Sequence, residues 1–271
     1  MLGSCFTDNM GVQLKNFGFN VCVNPFGTLY NPASVLSAVE RLISKEEFTE
    51  SDCVQIGAGD MRFCSYSHHT SFARTTMEEF LENANHALKE AAEFFRTCNK
   101  VIITLGTSWC YRHIECDKIV SNCLKHPSTE YRREFLTADQ TAAILTEIMR
   151  LCSCQDNEII PKEFIFTICP FRHLKEGAHG NQISKASLLV GTDQVLNATK
   201  HIRADYFPTY EIMMDELRDY RFYAEDMCHP TLQAVSYIRE RFLDWSLPSE
   251  EQKILEENIK AFKRSSHIGP K

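Results

Sequence analysis

Lys100-Val101-Ile102-Ile103-Thr104-Leu105-Gly106 is the stretch on which the fold turns. It is apolar and β-branched, it is too short for a membrane span or a core helix, and glycine closes it. It therefore reads as a buried strand. A second such run, Glu163 to Cys169, is closed by Pro170. Phe19 to Val23 is a third, shorter candidate. Between them lie segments of helical period. Thr7 to Phe17 places Met10, Leu14 and Phe17 on one face, with Gly18 as a stop. Asn31 and Pro32 open a helix striped by Val35, Leu36, Val39, Leu42 and Ile43. Thr76 with Glu79, and Thr137 with Gln140, are capping boxes for helices running to about Thr97 and Cys152. Asn181 to about His201, Pro230 to Trp245 and Pro248 to about Lys263 complete the set; residues 45–66 give no clear pattern. Short buried strands alternating with long helices predict an α/β fold with a parallel sheet covered on both faces. In such sheets the chemistry gathers beyond the carboxyl ends of the strands.

The rest of the sequence sets the bounds. The chain has 271 residues, 44% of them hydrophobic and 24% charged, with a formal net charge of −7. That excludes a disordered or repeat-built protein and a basic nucleic-acid footprint. No apolar run reaches the roughly 18 residues that span a bilayer. Residues 1–246 read as one domain, and residues 247–271 as a charged helix and tail. No membrane partner is predicted, and the oligomeric state is open.

Twelve cysteines are scattered through the chain, too sparse for a disulfide scaffold. They read as reduced thiols. Cys110, His113, Cys116 and Cys123 have zinc-ligand residue types, but no C-x2-C pair accompanies them, so no metal and no cofactor are predicted. No basic region followed by an apolar run is visible at the start, which makes the cytoplasm the default compartment.

Five stretches carry the candidate chemistry: residues 3–6, 24–32, 104–109, 170–173 and 226–230. Asp226 and His229 are three apart at a helix start, so one turn can join them. An Asp on one imidazole nitrogen fixes the tautomer and leaves the other as a base. Ser4, just before a helix, is the hydroxyl such a base would activate, because a helix N-terminus favours developing negative charge. Gly27, the Gly106-Thr107 corner and Asn31 are candidates for the oxyanion donors, with the Ser4 N–H beside them. Singly, each has an ordinary structural reading as cap or turn. Their shared place at element ends raises the joint case. Cys5 beside Ser4 competes as nucleophile, but reads first as packing beneath the turn.

The start Gly-Ser-Cys-Phe-Thr-Asp-Asn-Met-Gly resembles the motif that names the GSCFA family. Asn24 to Pro32, Leu105 to Tyr111, Pro170 to Lys185 and Tyr223 to Thr231 resemble further blocks of that family in order. The family is similar to SGNH, or GDSL-like, hydrolases. That resemblance implies a three-layer α/β/α, flavodoxin-like fold, a Ser nucleophile at Ser4 and an Asp-x-x-His pair at Asp226 and His229. It also implies oxyanion donors from Gly27 and a third-block Asn. Here the chain departs from the pattern, since Thr107 follows Gly106.

These readings together predict a serine ester hydrolase that removes a small acyl group from a carbohydrate-like or other larger substrate. An acyltransferase to a sugar hydroxyl, and a non-catalytic binding module, are the alternatives. His68 and His69 resemble another family block, and either face substrate or are solvated loop residues. Arg172 and His173 follow a strand and are placed to bind an anionic or polyol group, unless Arg172 pairs with Glu176. Only Met1, Leu2 and Gly3 precede Ser4. The SGNH pattern puts a central strand there, so the first strand is predicted to be truncated. The absence of a leader then says little about compartment.

Overall fold

A computed structural model describes residues 1–153 and 160–267. Its central sheet has four strands, all parallel, in the order β1-β4-β8-β9. These are β1 Leu2–Gly3, β4 Lys100–Leu105, β8 Glu163–Ile168 and β9 Ala204–Tyr206. Two small antiparallel sheets stand apart from it. One is the hairpin of β2 Val54–Gln55 and β3 Phe63–Cys64. The other joins β5 Trp109–His113 to β6 Lys118–Val120 and β7 Tyr131–Phe135.

Among the described residues eight helices cover the sheet: α1 Cys5–Asn16, α2 Pro32–Ser44, α3 Met77–Thr97, α4 Ala138–Cys152, α5 Gly177–Ala198, α6 Thr209–Glu211, α7 Leu232–Ser246 and α8 Ser249–His267. Three of the predicted starts have their caps. The Asn31 carboxamide oxygen accepts from Ser34 N at 2.9 Å. Thr76 Oγ1 accepts from Glu79 N, and Thr137 Oγ1 from Gln140 N, each at 3.2 Å.

The pleat sorts β4 and β8 between two cores. Val101, Ile103, Leu105, Phe164, Phe166 and Ile168 face one side, among Val39 of α2, Phe80 of α3, Ile148 of α4 and Leu188 of α5. Ile102 and Ile165 face the other, among Met10 of α1, Val235 and Ile238 of α7 and Phe262 of α8. Each wholly buried Ile or Phe contributes about 1.5–3 kcal/mol. This is the three-layer α/β/α arrangement that the sequence predicts. Residues 247–267 belong to the second layer: Phe262 meets Phe17 edge-on at 6.1 Å, and Asn258 Nδ2 donates to the Phe17 carbonyl at 3.0 Å.

One expected strand needs correcting, and so does the place of another. Phe19 to Val23 is not a strand. Its backbone meets the chain start at Met1: the Met1 ammonium donates to the Cys22 carbonyl at 2.7 Å, and Asn24 N donates back to the Met1 carbonyl at 3.0 Å. One residue cannot template a ladder. The strand before Ser4 is present but only two residues long. It occupies an edge of the described sheet rather than its centre, with Leu2 opposite Ile103 and Gly3 opposite Thr104.

Candidate functional site

β1, β4 and β8 end together, and the chain leaves each at the same edge of the sheet. From β1 it enters α1 through Ser4. From β4 it turns at Gly106 and Thr107, and from β8 it runs through Phe171, Arg172 and His173. These exits and the β5–β7 sheet enclose an open cleft of about 770 Å³. Cys5, Asn31, His69, Thr107, Arg172, His173 and His229 all line it.

Asp226 and His229 meet as their spacing predicts. They lie on the loop before α7, where Met227 adopts a left-handed φ of 58° and turns the chain sharply. One Asp226 oxygen accepts the backbone N–H groups of Cys228 and His229, both at 2.9 Å, and the other takes the His229 Nδ1. Those bonds, with the imidazole first, hold the Asp226 carboxyl down at about 2. The Phe171 ring lies 4.3 Å from the His229 ring, and Arg172 N donates to the Cys228 carbonyl at 3.2 Å. The β8 exit thus buttresses the pair.

Ser4 and Cys5 divide differently from the sequence reading. Ser4 caps α1 with extended backbone and has no exposed surface. Its Oγ has no hydrogen-bond partner among the described residues. Cys5, read as packing beneath the turn, is instead the residue of the two that lines the cleft. The backbone N–H groups of Cys5 and Phe6 lie against its sulfur, yet burial pushes the thiol up to about 12, with Cys169 and Asp8 adding to the shift.

The proposed oxyanion donors are largely occupied. Ser4 N donates to the Thr104 carbonyl at 3.2 Å and Gly27 N to that of Asn24 at 2.8 Å. Gly106 N and Thr107 N both donate to the Tyr30 carbonyl, at 2.8 and 2.9 Å. The Thr107 hydroxyl lies 3.0 Å from Ser184 Oγ and accepts from Trp109 N. Asn31 differs: its Nδ2 gives one hydrogen to Ser34 Oγ at 3.0 Å, which leaves the second for a ligand. Gly27 has a spacing role instead. With φ at 83°, a Cβ there would stand 2.3 Å from that of His69.

The histidines separate too. His68 is wholly buried among Phe26, Phe48, Phe72 and Phe80, with Nδ1 2.7 Å from Ser65 Oγ. Burial pushes it down to about 3. It is a core residue, which corrects both the substrate-facing and the solvated readings. His69 lines the cleft and caps the short turn Thr70–Phe72 through Ser71 N. His173 packs between Tyr30 and Phe171, and burial lowers it to about 3, so its ring is neutral near pH 7. Its Nε2 has no partner among the described residues and lies where a Cβ on Gly106 would be 3.0 Å away.

Arg172 does not pair with Glu176. Its guanidinium lies 4.0 Å over the Tyr223 ring, and Glu176 takes Arg133 instead. The sequence reading missed Lys125, Arg133 and Lys175, which make the cleft wall cationic in a chain of net negative charge. It also missed Lys185. This lysine is buried, donates to the Gly106 and Cys169 carbonyls at 2.6 and 2.7 Å, and ties the ends of β4 and β8 together. Its place at the end of the Pro170–Lys185 block was a signal, but nothing in the local sequence marks a lysine as buried.

Among the described residues no group of three or more His, Cys, Asp or Glu could hold a metal ion. Cys116 Sγ lies 3.4 Å from His113 Nδ1, while Cys110 Sγ is directed at the Glu134 carbonyl. Eleven cysteines are free thiols; Cys154 lies outside the described residues. Among the described residues no helix is long and apolar enough to cross a membrane.

The sequence model of the GSCFA family matches residues 1–242, most of the chain. No curated protein and no solved structure matches it.

Proposed function

The chain belongs to the GSCFA family, and on that footing we propose that it is an acyl-ester hydrolase driven by the Asp226–His229 pair. The observation that carries the proposal is that His229, held by Asp226, lines the cleft where β1, β4 and β8 end. An imidazole whose Nδ1 is held by a carboxylate presents its Nε2 as a base. The start of α1, across the cleft, supplies the nucleophile from the Ser4–Cys5 step. The resemblance to SGNH hydrolases agrees with both roles. Asn31 Nδ2 and the first N–H groups of α1 would steady the tetrahedral oxyanion. Water then releases the acyl group.

The walls favour a particular substrate. Trp109, Tyr111 and Phe171 line the cleft and are the aromatic side chains that a sugar would meet there. Arg172 and Lys175 offer positive charge to a substrate that carries an anionic group. The substrate proposed is a small acyl ester on a carbohydrate-like, acidic molecule.

Short-chain aryl esters test the reading. The wild type should turn them over, and His229→Gln should not. Equal rates in the two proteins would sink the role of the pair. A sugar acceptor added to the same reaction separates hydrolase from acyltransferase, because transfer diverts the acyl group from free acid to acceptor. A non-catalytic binding module would turn over nothing while still binding.

A further inference from the structure

Two adjacent residues at the start of α1 could attack an acyl carbon, and they occupy different places. Ser4 has no exposed surface, and its N–H and carbonyl are both engaged, with Thr104 O at 3.2 Å and Thr7 N at 2.8 Å. Carrying its Oγ further toward the cleft than rotation about χ1 allows would mean turning the first residues of the helix. Gly3 resists that turn. Its φ is 144°, and its α-carbon lies so close to Thr104 that a Cβ would meet the carbonyl oxygen at 2.2 Å. Gly3 N is held by Asn24 Oδ1 at 2.8 Å, and the Gly3 carbonyl accepts from Leu29 N at 2.8 Å. The segment that carries Ser4 is therefore fixed on three sides.

Cys5 needs no such movement. It lines the same cleft as His229. It opens a 12-residue helix, and its own N–H and that of Phe6 lie against the sulfur. Those two groups and the helix dipole favour negative charge at this point.

We propose that the attacking atom is the Cys5 sulfur and that the enzyme carries its acyl group as a Cys5 thioester. This rests on the hydrolase reading above and names its nucleophile. The steps balance without any oxidant or co-reactant. The thiol proton passes to His229 Nε2 as the sulfur–carbon bond forms, and the carbonyl electron pair moves onto oxygen. When the oxyanion collapses, the alkoxide leaves and takes the proton back from His229. Water then attacks the thioester and gives its proton to His229. Collapse of the second oxyanion frees the acid, and the thiol recovers its proton. Because burial keeps the resting thiol protonated, the base is essential: Cys5 here is no preformed thiolate, and His229 must accept its proton during attack.

The test is acyl trapping on the full chain with p-nitrophenyl acetate. The reaction is quenched in acid, digested and mapped by mass spectrometry. The acetyl group is expected on Cys5, and neutral hydroxylamine should remove it as it removes thioesters. In His229→Gln the Cys5 adduct should vanish, whereas adventitious acetylation of other exposed thiols should persist. Cys5→Ala should lose at least about 10³-fold in turnover, as removal of a covalent nucleophile does. Circular dichroism shows that each variant is folded, and the wild-type adduct map stands even where a variant is not. An adduct on Ser4 overturns the assignment. So does full turnover in Cys5→Ala alongside an inactive His229→Gln, and in both cases the hydrolase reading survives. A wild type with no turnover overturns both.

Discussion

Asp226 holds His229 twice, through the backbone N–H at 2.9 Å and through Nδ1 of the ring. The two contacts come from the two oxygens of one carboxylate, so the ring position and its tautomer are fixed together. An amide can accept the backbone bond, but it cannot hold the imidazole in the same tautomer and stabilise its charged form. Asp226→Asn should therefore fold normally and lower kcat by about 10³–10⁴-fold, with little change in KM. Steady-state kinetics on an aryl ester measures this. A loss confined to KM would mean that the carboxylate only helps to bind substrate.

Acid should unfold the protein earlier than its carboxylates alone require. His68 sits in the aromatic core with its ordinary value of 6.5 pushed down to about 3 by burial. The unfolded chain binds a proton at this site below 6.5, and the folded chain does not until about 3. Stability is thus fully present above pH 6.5 and falls between 6.5 and 3. His173 is displaced the same way and acts in the same window. Replacing His68 with Phe removes one of the two titrations. The thermal midpoint of His68→Phe should fall less steeply with pH across that range than that of wild type. Parallel curves would show that His68 takes its proton without unfolding.

Much of this was legible in the sequence because it depends on local patterns. The runs at 100–105 and 163–168 are apolar on both faces, as strands buried from two sides must be. The capping boxes at Thr76 and Thr137 mark helix starts through bonds three residues apart. Asp226 and His229 meet for the same reason. What was not legible depends on contacts between distant segments. Ser4 is an extended cap and Cys5 the first helical residue, so their side chains diverge, and only the packing of α1 against the sheet decides which one faces the cleft. The Gly106 and Thr107 N–H groups are taken by the Tyr30 carbonyl of a neighbouring loop, which a motif does not display. The β5–β7 sheet is short, half-exposed and charged, so it lacks the apolar signature of the central strands.

Gly3 should tolerate no side chain. It combines a φ of 144° with an approach that would leave a Cβ 2.2 Å from Thr104 O and 2.9 Å from Thr104 N. Both groups are backbone in the middle of the sheet, and neither can yield cheaply. Gly3→Ala should cost about 3 kcal/mol or more, from overpacking and from backbone strain together. Urea denaturation of the two proteins gives this as a shift in midpoint at constant m. A shift of less than about 1 kcal/mol would mean that the β1 edge relaxes freely, and the argument that it pins the start of α1 would fall.

Lys185 should matter to stability in a way that depends on pH. Its ammonium is buried and serves two carbonyls, one at the end of β4 and one just past β8. Lys185→Met keeps much of the side-chain volume and removes both donors. Each carbonyl left without a partner costs about 1–3 kcal/mol, so the variant should lose about 2–6 kcal/mol at pH 7. Burial lowers Lys185 from its usual 10.5 to about 8. Between those values the unfolded chain holds a proton that the folded chain has released, so this group adds stability as pH rises from 8 to 10.5. Cysteines and tyrosines titrate in the same range, and the difference between wild type and Lys185→Met removes their common contribution. That difference, from urea midpoints, should widen from pH 8 to 10.5. If it stays flat, Lys185 remains charged through the window, and its two carbonyls hold the proton more strongly than burial expels it.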